Sequence, residues 1–292
     1  MIRLDGKAIA ITGAGGGLGA AYARHVAALG ASVLVNDITP AAAARTVAEI
    51  TAAGGRAAAL PGDVAAWGFG ETLVSACVDA FGAIDGLVNN AGILRPALLE
   101  DVTEADFRHM VEVNLLGTAA CAQAAGRRMR AAGRGGAILN VTSGSQAGDI
   151  ALGGYGATKG AIAALTYSWA MELRGSGIRM NALSPLAETA MAAQNAHLMA
   201  LQGQNREVHY TTLPPAKANA PVVAYLLSDA AREVHGQVIR IAGRQLSFVT
   251  HPMIAAPVIE GDWTCDSVAG AFASTLLHHQ HKLGLAFTAA TP

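Results

Sequence analysis

The stretch "AIAITGAGGGLGAAYARHVA", residues 8–27, joins a short apolar run to an Ala-rich segment through a turn that contains five glycines. The run at 8–12 has the length and composition of a buried strand, and the segment 18–29 carries apolar residues at helical spacing. A glycine-rich turn between a strand and a helix lets backbone N–H groups approach a diphosphate, and the helix N-terminus adds positive potential there. The stretch therefore predicts the first strand, turn and helix of a dinucleotide-binding unit.

Short apolar runs and longer Ala-rich segments alternate through roughly the first 240 residues. After 8–12, runs typical of buried strands lie at 32–36, 57–60, 85–89, 137–141, 178–183 and 237–241. After 18–29, segments with helical spacing lie at 41–53, 67–81, 104–131, 156–174 and 217–228. Strands that are apolar on both faces and alternate with helices predict a mostly parallel sheet covered on both sides. We expect a single-domain, doubly wound, Rossmann-like α/β fold with seven strands.

The domain boundaries follow from where this alternation stops. No internal repeat or low-complexity linker divides residues 1–245, so we expect one domain that includes the active site. Residues 190–215 are polar and end in two prolines, which is typical of a loop or lid over a substrate. Residues 246–292 form a weakly patterned C-terminal extension with one predicted amphipathic helix. This extension could cap the substrate cleft or lie across a neighbouring subunit.

Composition and charge exclude several classes of function. Hydrophobic residues make up 52% of the chain and charged residues 14%, which is too apolar for a disordered protein. The net charge of −1 favours neither a nucleic-acid partner nor an anionic membrane surface. Charged residues or glycines interrupt every apolar run before it reaches the roughly 20 residues of a membrane span.

The cysteines and histidines add little chemistry. The three cysteines are far apart and are predicted to be small core residues in a reducing compartment, so we expect a cytoplasmic protein. The histidines within 278–281 have no Cys or carboxylate among them, and a polar helix end explains them. We therefore expect no metal.

The glycine-rich turn also bears on the identity of the dinucleotide. Its residues fit the pattern TGxxxGxG, with the cofactor-facing positions at Gly13, Gly17, Leu18 and Gly19. Asp37 follows at the end of the second predicted strand, where a carboxylate accepts hydrogen bonds from the ribose hydroxyls and repels a 2′-phosphate. Because no Lys or Arg lies within 13–19 and Ile38 follows Asp37, the sequence predicts NAD rather than NADP.

A Tyr and a Lys stand out among small residues in the run "GGYGATKG", residues 153–160. Tyr155 and Lys159 are four positions apart, so a helix places both side chains on one face about one turn apart. A free phenol has a pKa of about 10 and is a poor base at neutral pH. A neighbouring ammonium, together with a positively charged nicotinamide, favours the phenolate and should lower that pKa. The pair therefore predicts general acid–base chemistry at Tyr155, tuned by Lys159.

These residues belong to a longer series of motifs. In chain order the series reads "TGAGGGLG" (12–19), "GDV" (62–64), "NNAG" (89–92), "VNLLG" (113–117), "ILNVTS" (138–143), "YGATK" (155–159) and "NALSP" (181–185). In this order and spacing the motifs resemble the short-chain dehydrogenase/reductase (SDR) family over residues 5 to about 243. The resemblance implies an NAD-dependent enzyme that interconverts a secondary alcohol and a ketone. It also implies that Tyr155 is the general acid/base and that Lys159 holds the nicotinamide ribose.

The resemblance implies two further catalytic residues. Family members usually place a catalytic Ser about 12 or 13 positions before the Tyr, which favours Ser143 over Thr142 and over the nearer Ser145. The Ser hydroxyl would bond the substrate oxygen and orient it toward Tyr155. Asn114 resembles the Asn that holds a water between the Lys and solvent; the alternative is a helical Asn that simply bonds backbone.

Cofactor contacts are also implied along the carboxyl edge of the sheet. The resemblance places them at the adenine ring (Asp63 and Val64), under the adenosine ribose (Asn90, Ala91 and Gly92) and at the nicotinamide carboxamide (Pro185 and Thr189). The last pair departs from the family pattern, because Leu186 replaces a Gly and Thr189 lies four rather than five positions beyond Pro185. We therefore expect a slightly altered loop around the nicotinamide.

The substrate stays open at this stage. "VNDI" and "NNAGILR" resemble the hydroxyacyl-CoA dehydrogenase units of multifunctional β-oxidation enzymes, which makes a 3-hydroxyacyl-thioester dehydrogenase the alternative within the family. A catalytically silent NAD-binding regulator is the alternative from a different class, and the complete set of Asn, Ser, Tyr and Lys disfavours it. Family members pair through the two long helices, here 104–131 and 156–174, so we expect a homodimer or homotetramer.

Overall fold

One eight-stranded sheet organises the computed structural model, which describes residues 2–188, 191, 213–281 and 284–286. The strands are β1 (Ala8–Ile11), β2 (Ser32–Asp37), β3 (Arg56–Pro61), β4 (Gly86–Asn89), β5 (Gly136–Val141), β6 (Ile178–Leu186), β7 (Val238–Ala242) and β8 (Gln245–Val249). Their order is β3-β2-β1-β4-β5-β6-β7-β8, and every neighbouring pair is parallel except β7 and β8. The chain therefore winds outward from β1 in both directions, as a doubly wound fold requires.

Helices cover both faces of the sheet. They are α1 (Gly17–Ala28), α2 (Pro40–Ala52), α3 (Phe69–Phe81), α4 (Glu104–Met110), α5 (Gly117–Ala132), α6 (Gly153–Leu173), α7 (Ala220–Leu227) and α8 (Cys265–Ser274). None of these helices is both long and apolar enough to cross a lipid bilayer.

Strand β1 shows why its run is apolar throughout. Ile9 and Ile11 belong to the core cluster that includes Tyr22 of α1, whereas the intervening Ala10 belongs to the cluster that includes Leu73 of α3. Successive side chains on a strand point to opposite faces, so a strand buried on both faces has no polar position. The predicted α/β fold class is confirmed.

Two departures from the predicted elements bear on the site and the tail. The predicted helix 104–131 is divided by a π-helical stretch, Val111–Leu116, that separates α4 from α5. The π-helical stretch is six residues long, which is too short for the apolar spacing of the sequence to reveal it. The sheet has one strand more than the seven predicted, because the hairpin strand β8 extends it beyond β7 with Leu246 and Phe248 exposed.

The carboxyl edge of the sheet brings the predicted motifs together. The glycine-rich turn follows β1, the "NNAG" motif follows β4, and the "TS" of "ILNVTS" follows β5. Strand β1 pairs with β2 on one side and with β4 on the other, so the sheet changes direction between β1 and β4. Ligands of open α/β sheets bind in the crevice at such a switch point.

Candidate active site

The glycine-rich turn is packed so closely that two of its positions have no room for a side chain. A Cβ on Gly13 would lie 2.8 Å from the Cα of Ala91, and the φ of Gly13 is +60°. A Cβ on Gly19 would collide with the carbonyl oxygen of Gly13 and would lie 2.9 Å from the Cα of Ala14. The turn therefore lies directly against the end of β4 and the start of α1.

The outer side of the turn is open and electrically suited to a diphosphate. Helix α1 begins at Gly17, and within the described residues no side chain caps its first turn and no acidic residue lies there. A Cβ on Gly16 would meet no described atom within 4 Å. Free N–H groups at a helix N-terminus attract anions, so this turn fits the diphosphate of a dinucleotide. Leu18 is half-buried, and its side chain packs against the core.

Hydrogen bonds from Thr12 and Asn90 hold the turn against β4. The buried Thr12 hydroxyl accepts the backbone N–H groups of Asn90 and Ala91, each at 3.0 Å. The Asn90 side-chain amide donates to the carbonyl oxygens of Thr12 and Gly13, also at 3.0 Å. The side-chain amide of Asn90 is therefore bonded to the turn. Thr12 is a positioning residue that was not predicted from the sequence.

Substitution of Thr12 tests this role. In the Thr12→Val variant two backbone N–H groups lose their acceptor, and we expect the free energy of unfolding to fall by about 2–4 kcal/mol. The Thr12→Ser variant keeps the acceptor and should lose only about 1 kcal/mol from the missing methyl group. Urea unfolding of both variants measures the difference. Equal losses in the two variants would show that the hydroxyl carries no weight.

Asp37 and Arg45 meet at Gly15 of the turn. One carboxylate oxygen of Asp37 accepts the Gly15 N–H at 2.9 Å, and the other accepts the Thr39 N–H at 2.9 Å. From helix α2, the Arg45 guanidinium donates to the Gly15 carbonyl oxygen at 2.9 Å. The sequence analysis missed Arg45, because it lies 30 positions beyond Gly15 and outside the glycine pattern. An acidic and a basic side chain thus flank the same glycine.

The two residues predicted at the adenine ring lie on the loop after β3. The Asp63 carboxylate accepts the Ala65 N–H at 2.9 Å, which shapes the loop. The Val64 side chain is buried against Gly117 at the start of α5, where an added Cβ would lie 2.9 Å from a Val64 methyl carbon. Close approach of α5 therefore fixes the position of Val64.

Tyr155 and Lys159 lie one turn apart on helix α6, as the spacing predicts. The Lys159 side chain is buried, its Nζ donates to the Val141 carbonyl oxygen at 2.8 Å, and it lies 5.5 Å from the centroid of the Tyr155 ring. Burial lowers the pKa of Lys159 to about 8. Burial raises the pKa of Tyr155 to about 12, while a hydrogen bond from Ser143 acts in the opposite direction.

The expected lowering of the Tyr155 pKa is therefore not a property of the protein chain alone. Removal from water penalises whichever form is charged, so burial disfavours the phenolate and the ammonium alike. The nearby Lys159 directs its ammonium to a backbone carbonyl, and the burial of the phenol dominates. At neutral pH the phenol of Tyr155 is therefore protonated, and the ammonium of Lys159 loses its proton more readily than that of an exposed lysine.

Ser143 is the hydroxyl group that faces Tyr155. It lies just beyond β5 in extended backbone, and its oxygen accepts the Ser145 N–H at 3.3 Å. The Thr142 hydroxyl is bonded to the Lys159 carbonyl oxygen at 2.8 Å and is not directed at the phenol. The Ser145 hydroxyl is buried and finds no partner among the described residues. Of the three candidates, only Ser143 acts on the pKa of Tyr155.

Asn114 lies in the π-helical stretch and is fully buried. Its carbonyl oxygen accepts the Ile93 N–H at 2.7 Å, and its amide donates to the Ile93 carbonyl oxygen at 2.9 Å and to the Thr158 hydroxyl at 3.1 Å. The side chain thus bonds the backbone of Ile93 and the hydroxyl of Thr158, and it ties the segment after β4 to helix α6. At Gly92 an added Cβ would lie 3.2 Å from the Asn114 side-chain oxygen and 3.6 Å from the Lys159 nitrogen.

Of the two residues predicted at the nicotinamide carboxamide, the structure describes Pro185. Pro185 is half-buried near the end of β6, in register with Ile241 of β7. The carbonyl oxygen of Leu186 accepts the Asn219 amide at 3.1 Å. Thr189 and nearly all of the predicted lid 190–215 lie outside the described residues.

The C-terminal extension contacts the short turn that follows Ser143. Gly284 donates its N–H to the Ala147 carbonyl oxygen at 3.1 Å, and Ala147 lies in the short 3₁₀ turn Gly144–Ala147 that follows Ser143. A Cβ on Gly144 would lie 3.2 Å from a methyl carbon of Leu285. In the part of the chain that the structure describes, no three His, Cys, Asp or Glu side chains are grouped so that they could hold a metal ion.

A doubly wound sheet that carries, at its carboxyl edge, an open glycine turn and a half-buried Tyr beside a buried Lys defines a dinucleotide-dependent oxidoreductase. Residues 7–199 match the family model described as short chain dehydrogenase, and the chain belongs to this family. The predicted family resemblance is confirmed.

Relatives and a solved structure agree with this assignment. An uncharacterized oxidoreductase of Methylorubrum extorquens is 38% identical over 83% of this chain and 99% of its own length. The hydroxyacyl-CoA dehydrogenase ChsB1 of Mycobacterium tuberculosis is 34% identical over 85% of this chain and 81% of its own length. The crystal structure of a short chain dehydrogenase from Mycobacterium avium aligns with a TM-score of 0.83 at 31% identity, over 98% of this chain and 99% of that one.

Proposed function

We propose that this protein is an NAD-dependent dehydrogenase that interconverts a secondary alcohol and a ketone. The observation that carries the proposal is the hydrogen bond between the Ser143 hydroxyl and the Tyr155 phenol. Tyr155 lies on the same helix as the buried Lys159. This group lies at the same sheet edge as the open glycine turn. Family membership supports an oxidoreductase that acts on CH–OH donors.

The chain supplies a binding surface and a proton donor and acceptor. When bound, the nicotinamide supplies the redox chemistry by accepting a hydride from the alcohol carbon. Ser143 donates a hydrogen bond to the substrate oxygen and orients it. Tyr155 accepts the hydroxyl proton during oxidation and donates it during ketone reduction. The positive charge of Lys159 stabilises the phenolate of Tyr155 and so offsets part of the free-energy cost of burying it.

The dinucleotide contacts remain as the sequence predicts them. The turn residues Gly13, Gly17 and Gly19 provide the diphosphate site, and Asp37 accepts the adenosine ribose hydroxyls. The remaining predicted cofactor contacts are proposals of the same kind: Leu18, Asp63, Val64, Asn90, Ala91, Gly92, Pro185 and Thr189. Asp37 supports NAD over NADP, because a carboxylate repels a 2′-phosphate.

A panel of secondary alcohols assayed with NAD and with NADP tests the proposal. We expect turnover of at least one alcohol, with kcat/KM for NAD about tenfold or more above that for NADP. The preference for NAD follows from the negative charge of Asp37. The Asp37→Ser variant removes that charge and should therefore lower the ratio of kcat/KM for NAD to kcat/KM for NADP. Absence of turnover throughout the panel, despite measurable NAD binding, would favour the catalytically silent regulator instead.

A 3-hydroxyacyl thioester is the second candidate substrate. It is favoured by the similarity to the hydroxyacyl-CoA dehydrogenase ChsB1, which extends over 85% of this chain. Including a 3-hydroxyacyl-CoA in the panel separates this candidate from simple alcohols. The contacts of Gly284 and Leu285 beside Ser143 support the idea that the C-terminal extension forms part of the substrate wall.

The assembly and location of the protein are further proposals. Phe107 of α4 and Leu116 expose apolar surface on a groove of about 570 Å³, which supports pairing of two or four copies through the helices 104–131 and 156–174. Cys77 and Cys121 are buried free thiols, and burial raises the pKa of each to about 12. Unreactive thiols of this kind are in keeping with a cytoplasmic enzyme. The prediction of a core position is wrong for Cys265, which is exposed at the start of α8.

A further inference from the structure

Arg45 places a positive charge beside the glycine turn, and binding of NAD, which has no 2′-phosphate, does not require a positive charge there. Helix α2 begins with Pro40 and four alanines, so no bulky side chain separates its first turn from the glycine turn. A Cβ on Gly15 would lie 2.6 Å from the Cβ of Ala42, which shows how closely the helix approaches. Arg45 lies three positions after Ala42 on the same helix face, and it is the only basic residue of α2.

The hydrogen bond to Gly15 uses a small part of the guanidinium. Arginine has five N–H donors, and the only partner of the Arg45 side chain among the described residues is the Gly15 carbonyl oxygen. The residue is exposed, so the remaining donors are accessible from solvent. The carboxylate of Asp37 accepts the N–H of the same glycine. Asp37 and Arg45 therefore both lie where the proposed site would bind the adenosine ribose.

We propose that Arg45 is a specificity residue that recognises a 2′-phosphate on the adenosine ribose. Planar guanidinium groups bind phosphate through two parallel hydrogen bonds, and the opposite charge offsets the repulsion by Asp37. The site then retains affinity for NADP while Asp37 keeps NAD the preferred cofactor. This inference rests on the proposed dinucleotide site and extends it to the phosphorylated dinucleotide.

Calorimetric titration with two fragments tests the inference without any assay of turnover. The probes are adenosine 2′,5′-bisphosphate, which carries the 2′-phosphate, and adenosine 5′-diphosphate, which lacks it. The Arg45→Gln variant removes the charge and keeps an amide donor, while Arg45→Lys keeps the charge. Arg24→Gln is the matched control, because Arg24 is an exposed arginine on α1 whose partner is Glu49 and not the turn.

We expect Arg45→Gln to weaken binding of the 2′,5′-bisphosphate about tenfold and to leave the affinity for the diphosphate within about twofold. Arg45→Lys should retain most of the affinity, and Arg24→Gln should change neither ligand. Because Arg45 is exposed, the difference should shrink at high salt.

Two results would overturn the inference. Equal weakening of both ligands by Arg45→Gln would show that the arginine only holds the turn, and no weakening would show that it does not reach the ribose. If wild-type protein bound neither fragment, the proposed dinucleotide site would fail as well. Selective loss of the 2′,5′-bisphosphate in a protein without alcohol turnover would support Arg45 and refute the enzyme.

Discussion

The Tyr155→Phe variant loses turnover by about a thousandfold or more in both directions, because the substitution removes the oxygen that accepts and donates the proton. The ring remains and fills the same space, so the fold and the dinucleotide site should persist. We expect the dissociation constant for NAD to change by less than about twofold. Steady-state kinetics on the best alcohol of the panel, with NAD binding measured by titration, gives both quantities.

The same helix provides the control for this substitution. Tyr167 also lies on α6, and its ring contacts His251, with 4.2 Å between the ring centroids. The Tyr167→Phe variant removes an equivalent oxygen away from Ser143 and Lys159, and its turnover should stay close to that of the wild type. Comparable activity in Tyr155→Phe and Tyr167→Phe would contradict the assignment of the general acid/base.

The pH dependence of the wild type follows from the burial of Tyr155. Burial raises the pKa of this phenol to about 12, so at neutral pH the group is protonated and ready to donate. Ketone reduction should therefore proceed at neutral pH. The kcat/KM for alcohol oxidation should increase with pH from about 6 to 9, as the fraction of phenolate grows. A flat oxidation profile over that range would show that another group accepts the proton.

The Gly13→Ala variant should lose about 3 kcal/mol of unfolding free energy, together with its dinucleotide affinity. Gly13 has a φ of +60°, which an L-residue adopts only with strain, and the added Cβ would lie 2.8 Å from the backbone of Ala91. Neither atom can move alone, because the Thr12 hydroxyl and the Asn90 amide tie the turn to β4. Chemical unfolding and NAD titration measure the two effects.

Gly16 in the same turn is the matched control for stability. It has extended backbone with a φ of −163°, and an added Cβ would meet no described atom within 4 Å. The Gly16→Ala variant should therefore unfold within about 1 kcal/mol of the wild type. Equal destabilisation by both substitutions would show that the turn is not closely packed at Gly13.

Local sequence patterns sufficed for most of the fold. Strand β1 is apolar at every position, and glycines follow it. Both features involve residues that are close together in the chain, so the sequence alone shows them. The same reasoning located each parallel strand and the pairing of Tyr155 with Lys159 on one helix face. It missed β8, whose alternating residues lie on an exposed edge, and the π-helical stretch around Asn114.

Within the site, the sequence identified residues and the tertiary structure assigned their contacts. The spacing before Tyr155 favours Ser143 over Thr142 and Ser145, and the tertiary structure supplies the contacts that distinguish the three hydroxyl groups. The sequence predicts Asn90 beneath the ribose, and the structure adds that its amide holds the glycine turn. Thr12 and Arg45 entered the site through partners far away in the chain.

The sequence by itself determined the fold class, the family and the residue types of the site, because strand and helix periods and motif spacings are local properties of the chain. The tertiary structure alone decided the protonation of Tyr155 and the presence of Arg45 beside Asp37. The physical reason is that a pKa depends on how much water is excluded, and the meeting of two side chains at one glycine depends on distance through space. Both are set by segments that folding brings together from distant parts of the chain.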